Sequence, residues 1–223
     1  MTLRVLLADD DALLRAGVAV VLSQQPDVEL VGEVADGLAA VEACQRLVPD
    51  VVLMDVRMPG IDGIEATRRI VAAGNPAKVL VLTTFRNDDH VWDALRAGAS
   101  GFLLKRASPE RLVEAVRTVA AGEALVDPAV TRALIGRFVA GALPPASSRP
   151  VDGLTERETQ VWRLIADGLS NEEIAHALGI AASTAKTHVK HVLAKTGARD
   201  RAQAVVLAYR RGVAVPSVGP RSV

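Results

Sequence analysis

DVVLMDVRMPG, residues 50–60, is the stretch on which the reading of this chain turns. Val51 to Met54 is an apolar run without polar alternation, the pattern of a strand covered on both faces in a parallel sheet. The run ends in one acid, Asp55. Met58-Pro59-Gly60 then breaks it, because proline has no amide proton to continue a ladder. Open α/β sheets place their ligands at the carboxyl ends of such strands. A lone aspartate there would still read as the start of a turn.

Three further strands change that reading by delivering chemistry to the same edge. Leu3–Ala8 ends in Asp9, Asp10 and Asp11, Lys78–Leu82 ends in Thr83 and Thr84, and Ser100–Leu104 ends in Lys105. Several carboxylates in one pocket resist joint ionisation unless a cation joins them. Mg²⁺, a hard cation that takes oxygen ligands, meets that need. The lysine and the threonine add donors suited to the oxygens of a phosphoryl group.

Between these strands, helical spacing of apolar residues predicts helices over 12–24, 37–47, 62–73, 87–97 and 109–120, and a second strand over 28–35. Ser108 caps the last of these, with Pro109 in its first turn, and Asp11 caps the first. Five strand–helix repeats predict a flavodoxin-like (βα)5 domain with a parallel sheet of order 2-1-3-4-5. That order puts the first and third strands side by side, so Asp9, Asp10 and Asp55 converge. No GxGxxG or GxxxxGK[ST] is present, which removes dinucleotide-binding and P-loop readings.

ADD at 8–10, MDVRMPG at 54–60, the TT pair at 83–84 and GASGFLLK at 98–105 together resemble the receiver domain of two-component response regulators. The resemblance implies that Asp55 accepts a phosphoryl group from a sensor histidine kinase. It implies Mg²⁺ held by Asp10 directly, by Asp9 through water, by Asp55 and by the backbone carbonyl of Arg57. Lys105 and Thr83 would meet phosphoryl oxygens, Thr83 and Phe102 would form the switch, and Thr84 would tune access. Self-phosphorylation and autodephosphorylation at Asp55 would be the only catalysis. Many receivers carry a proline after the lysine; here Arg106 stands there, so no cis-proline is expected.

Length and composition set the frame around this motif set. With 223 residues the chain has room for two domains, and 50% hydrophobic residues exclude global disorder. No apolar run reaches the roughly eighteen residues that a membrane span needs. The start, MTLRVLLADDDA, is too acidic and its apolar part too short for a signal peptide, and the single Cys44 has no disulfide partner. These features predict a cytoplasmic protein. The net charge of zero hides an asymmetry: residues 1–120 hold 13 basic against 17 acidic, and the rest hold 13 against 9. Within 181–212, seven basic residues face one acid, Asp200. An acidic front suits a cation, and a basic tail suits an anionic polymer.

The receiver region is read as residues 1–120. Residues 121–150 form a linker with a helix over 128–139, ending in the proline-rich run 141–150. Residues 151–212 form the second domain and 213–223 a flexible tail. The second domain opens with two capping boxes, Thr155 with Glu158 and Ser170 with Glu173. Helices follow each, with Gly179 at the turn, a third over 182–196 and a fourth over 200–211. LTERETQVWRLIADGLSNEEIAHALGI and STAKTHVKHVLAKTGARDRAQAV resemble the LuxR-type helix-turn-helix domain, an all-α unit of four helices. A receiver joined to this domain is the architecture of the NarL/FixJ response regulators.

On the third helix of this unit, Ala185, His188, Val189, Val192 and Leu193 share the inward stripe. Lys186, Thr187 and Lys190 fall opposite and can reach base edges of double-stranded promoter DNA; Thr184, His191, Lys195 and Arg201 lie nearer phosphates. Ala181 stands where serine often caps this helix, a loss of about 1 kcal/mol. Val205, Val206 and Tyr209 suit either the core or a dimer contact. The expected partners are the kinase, DNA, a second copy upon phosphorylation or DNA binding, and RNA polymerase, with no membrane. Two other readings remain open. An aspartyl-phosphate hydrolase would want an acid two residues after Asp55, where Arg57 stands; a constitutive DNA-binding regulator would leave the acid–Thr–Lys set unused.

Overall fold

The computed structural model describes residues 2–83, 88–122 and 153–214, and side chains of the fourth helix from residue 93 onward. Its contacts divide the chain into two units, Met1–Leu125 and Val126–Val223. The helix expected over 128–139, the linker, Thr84 and most of the tail lie outside the described residues.

The first unit runs β1 (Leu3–Ala8), α1 (Ala12–Ser23), β2 (Val28–Val34), α2 (Gly37–Leu47), β3 (Val51–Asp55), α3 (Gly63–Ala72), β4 (Lys78–Thr83), α4 (Asp88–Ala97), β5 (Gly101–Leu104) and α5 (Pro109–Ala120). The strands form one parallel sheet of order β2-β1-β3-β4-β5. All five residues of β3 are buried, because helices cover the sheet on both faces. Alternate strand residues divide between the faces. Val5, Leu7, Val51, Leu53, Leu80, Leu82 and Leu103 pack with Leu22 of α1 and Leu112, Val116 and Val119 of α5. Each such side chain contributes about 1.5–3 kcal/mol on leaving water. The register sets Ala8 against Met54 and Thr83 against Leu104, so the last residue of β3 and the residues just past β1 and β5 meet at one edge.

The helix starts are chemically explicit. Asp11 accepts hydrogen bonds from the Leu13 and Leu14 amides, Asp36 from Ala39, Asp62 from Glu65 and Ser108 from Arg111. Each satisfies a donor that a helix leaves orphaned in its first turn.

The second unit comprises α6 (Glu156–Ala166), α7 (Asn171–Leu178), α8 (Ala182–Thr196) and α9 (Arg201–Arg210). Both capping boxes form as the sequence predicts. Gly179 takes the left-handed conformation, φ 62 and ψ 39, that lets the chain turn from α7 toward α8. Ala181 offers no side-chain cap, as expected. Trp162, Ile165, Ile174, Ala185, Val189, Val192, Val205 and Tyr209 form the core. Val205 and Tyr209 therefore serve the core, and Val206 is also buried. Thr196, polar at an inward position, is satisfied by donating to the Val192 carbonyl at 2.7 Å. The domain reaches past its expected end: Val213 packs on the core and Ala214 is buried, while the Val213 amide bonds the Ala208 carbonyl. These two residues are structured, not tail.

Candidate functional site

Asp9, Asp10 and Asp55 each offer a carboxylate oxygen within 4.8 Å of the others. Asp9 and Asp55 are buried; Asp10 is exposed. Lys105 reaches between the two buried acids from the end of β5, with Nζ 2.7 Å from Asp9 Oδ2 and 3.0 Å from Asp55 Oδ2. Its backbone amide bonds the Thr83 carbonyl at 2.8 Å, which fixes the strand end that carries it. Thr83 is buried at the end of β4, one strand over from Asp55. Thr83 and Phe102 alternate onto the sheet face opposite Leu80, Leu82 and Leu103, with Val81 paired to Phe102 between them. The exposed Arg57 lies two residues past the end of β3, after the buried Val56.

The electrostatics of the cluster are unbalanced. Burial pushes the Asp55 carboxyl above its ordinary range, and the Lys105 hydrogen bond and charge only partly offset this. Burial works against the charge of Lys105, yet its close pairing with the Asp9 and Asp55 carboxylates outweighs it and holds the ammonium above its usual value. Three carboxylates against one ammonium leave room for two positive charges. Asp9 Oδ2 is buried and lacks a hydrogen bond of proper geometry, although Lys105 lies close to it. A small divalent cation with oxygen ligands fits both the charge and that oxygen.

Two positioning contacts were not legible in the sequence. Arg15, on α1, donates from its guanidinium to the Asp9 carbonyl at 2.5 Å. Gly63, the first residue of α3, lies so close to β3 that a Cβ there would stand 1.8 Å from the Asp55 carbonyl oxygen. Neither contact has a local motif, since each joins separate elements.

Beside the acids, α1 leaves Leu13 85% exposed. A cavity of about 400 Å³ runs from there along Leu14, Val18 and Val21 to Leu112 and Lys105.

In the second unit, α8 buries Ala185, Val189 and Val192 and half-buries His188. Thr184, Lys186, Thr187, Lys190 and His191 are exposed. Lys195 and Arg201 each also have partners within the domain. Lys195 Nζ lies 2.7 Å from Glu158 Oε2. Arg201 donates to Asn171 Oδ1 at 3.1 Å and to the Leu169 carbonyl, tying α9 to the α6–α7 turn. Much of the basic excess of this domain is thus engaged within it: Arg157 bonds the Leu178 carbonyl, and Arg211 lies over the Trp162 ring.

These two units define a class of protein: an acid–lysine receiver sheet in the same chain as a helix-turn-helix DNA-binding domain. Residues 5–117 match the response regulator receiver domain family, and residues 152–208 match bacterial regulatory proteins of the luxR family. The transcriptional regulatory protein LiaR of Bacillus subtilis (strain 168) is 39% identical over 208 residues, 93% of this chain and 97% of that protein. The crystal structure of the response regulator ChrA of a heme-sensing two-component system is 34% identical, covers 95% of this chain and 98% of its own, and has a TM-score of 0.52. A structure of two RcsB dimers bound to two parallel DNAs is 25% identical, covers 94% and 99%, and has a TM-score of 0.55. The chain belongs to the NarL/LuxR family of two-component response regulators, with a receiver and a LuxR-type DNA-binding domain. Among the described residues, no helix is long and apolar enough to cross a membrane.

Proposed function

We propose that Asp55 is the phosphoacceptor of this regulator and that its phosphorylation by a sensor histidine kinase, in the cytoplasm, switches DNA binding. The observation that carries this reading is Lys105 Nζ held between Asp9 and Asp55 in a cluster of three carboxylates. A carboxylate oxygen of Asp55 attacks phosphorus, the bond to the donor's imidazole nitrogen breaks, and an acyl phosphate forms. Asp10, Asp9 through water, Asp55 and the Arg57 carbonyl would hold Mg²⁺. Bound there, the ion supplies charge neutralisation for the acids and the phosphoryl oxygens. Lys105 pairs with one phosphoryl oxygen and Thr83 donates its hydroxyl to another. Water attack on the acyl phosphate returns the free acid, the only turnover the site carries out. The apolar groove beside Leu13 opens next to Lys105 and offers the kinase a seat within reach of Asp55.

Phosphorylation replaces the single charge of the Asp55 carboxylate with a phosphoryl group carrying about −1.5 to −2 charges at one sheet edge. As Thr83 moves toward the new oxygens, Phe102 enters the space it leaves, and the surface of α4, β5 and α5 changes between two pre-existing states. Lys186, Thr187 and Lys190 then read base edges, and Thr184 and His191 meet phosphates. One short helix reads few base pairs, so two copies bind paired half-sites about one helical turn apart, where RNA polymerase can be engaged. The similarity to a DNA-bound dimer supports this arrangement.

Thr83→Ala tests the coupling. The variant is expected to accept phosphoryl from a small donor, more slowly, and to show no rise in DNA affinity on phosphorylation. Labelling and DNA titration on the same sample check this. Full activation in the variant would reject the Thr83–Phe102 route.

A further inference from the structure

The C-terminal unit contains an acid for which DNA binding has no evident use. Glu158, on the first turn of α6, has a side chain only 4% exposed. Its Oε2 accepts from the Thr155 amide at 2.8 Å and from Lys195 Nζ at 2.7 Å, and its Oε1 lies 3.7 Å from His191 Nδ1. The Lys195 hydrogen bond, then the Thr155 amide, bring its carboxyl down to about 2. The acid is therefore ionised wherever the domain is folded and working. Lys195 and His191 are four residues apart on α8, so one carboxylate on α6 faces two successive turns of the helix that presents Lys186 and Lys190.

Lysines strengthen DNA binding by displacing counterions from phosphates. A lysine already neutralised by a covered carboxylate displaces none until that pair is broken. Breaking it leaves Glu158, nearly covered and charged, beside the polyanion. We propose that Glu158 is a positioning residue that withholds Lys195 from the DNA backbone, so that the domain neutralises one phosphate fewer than its exposed basic residues would indicate. The same contact fixes the C-terminal half of α8 against α6, which sets the height at which Lys186 and Lys190 are presented. This inference rests on the DNA-binding reading of α8.

The test is the salt dependence of binding to mixed-sequence duplex DNA, measured on the full chain as wild type, Lys195→Ala, Glu158→Gln and the double variant. Glutamine keeps an oxygen to accept from the Thr155 amide while removing the charge. Glu158→Gln is expected to steepen the slope of log K against log salt by about 0.9, the contribution of one phosphate. The double variant is expected to return to the wild-type slope, and Lys195→Ala alone to leave the slope unshallowed. Lys195→Ala shallowing the slope by about one, or a folded Glu158→Gln with an unchanged slope, would overturn the proposal. If Glu158→Gln does not fold, the Lys195→Ala arm decides by itself. Lys190→Ala serves as the control. If that variant binds as the wild type does, the reading of α8 as the DNA-contacting helix fails, a result separate from either outcome at Lys195.

Discussion

Asp55→Asn is expected to abolish phosphoryl transfer: purified protein with Mg²⁺ and a small phosphoryl donor gains one base-labile acyl phosphate as wild type and none as the variant. The amide is neutral and a poor nucleophile, and no other described carboxylate shares the position of Asp55, buried beside Lys105 at the end of β3. The same substitution is expected to raise stability when no divalent cation is present. Burial raises the carboxyl group above its ordinary range, so its ionised form is disfavoured in the folded state. The sign follows from linkage. Above the raised folded value the wild type carries the cost of a buried charge, and the gap between variant and wild type closes as pH falls through that value. Thermal melts across pH, with and without Mg²⁺, check both halves. Labelling of the asparagine variant at the wild-type level would move the phosphoacceptor elsewhere.

Gly63→Ala is expected to damage fold and site together. The glycine starts α3, and its amide bonds the Val56 carbonyl at 2.9 Å, which brings the helix onto the end of β3. An added Cβ would stand 1.8 Å from the Asp55 carbonyl oxygen and 2.8 Å from its carbonyl carbon, backbone atoms that cannot rotate away. Either α3 lifts or the end of β3 shifts, and both move Asp55 relative to Lys105. A loss of about 3 kcal/mol, the upper part of the range for overpacking, is expected in urea unfolding. The phosphorylation rate should fall in the fraction that remains folded. Gly17→Ala is the comparison, since that glycine lies within α1 and nothing lies within 4 Å of a Cβ there.

The receiver sheet was legible because its signals are local. A buried run ending in an acid, a break at Met58–Gly60 and five strand–helix repeats together fix the order that β3 takes beside β1 and β4. The capping boxes at Thr155 and Ser170 were legible for the same reason, as both partners lie three residues apart. The positions read incompletely are those whose partners are remote. Lys195 looks like a free cation until Glu158, 37 residues earlier, comes up beneath it. Arg201 also donates to the Leu169 carbonyl, 32 residues away, a partner that no local spacing shows. Arg15 and Gly63 carry no motif, because a guanidinium on a carbonyl and a missing methyl are tertiary facts. The boundary at 212 fell short because Val213 and Ala214 fold back onto α9, both amides donating to the Ala208 carbonyl, with a small apolar contact.

On the proposed mechanism, the phosphorylation state of Asp55 controls the DNA-binding domain. The most direct measurement is DNA affinity and sedimentation on the same samples, for wild type and Asp55→Asn, with and without phosphoryl donor. The prediction is a tighter, paired footprint and a dimer for the phosphorylated wild type alone, with the other three samples mainly monomeric and weakly bound. Equal affinity and equal mass in all four would contradict it, and would leave a regulator whose receiver does not govern its helix-turn-helix domain.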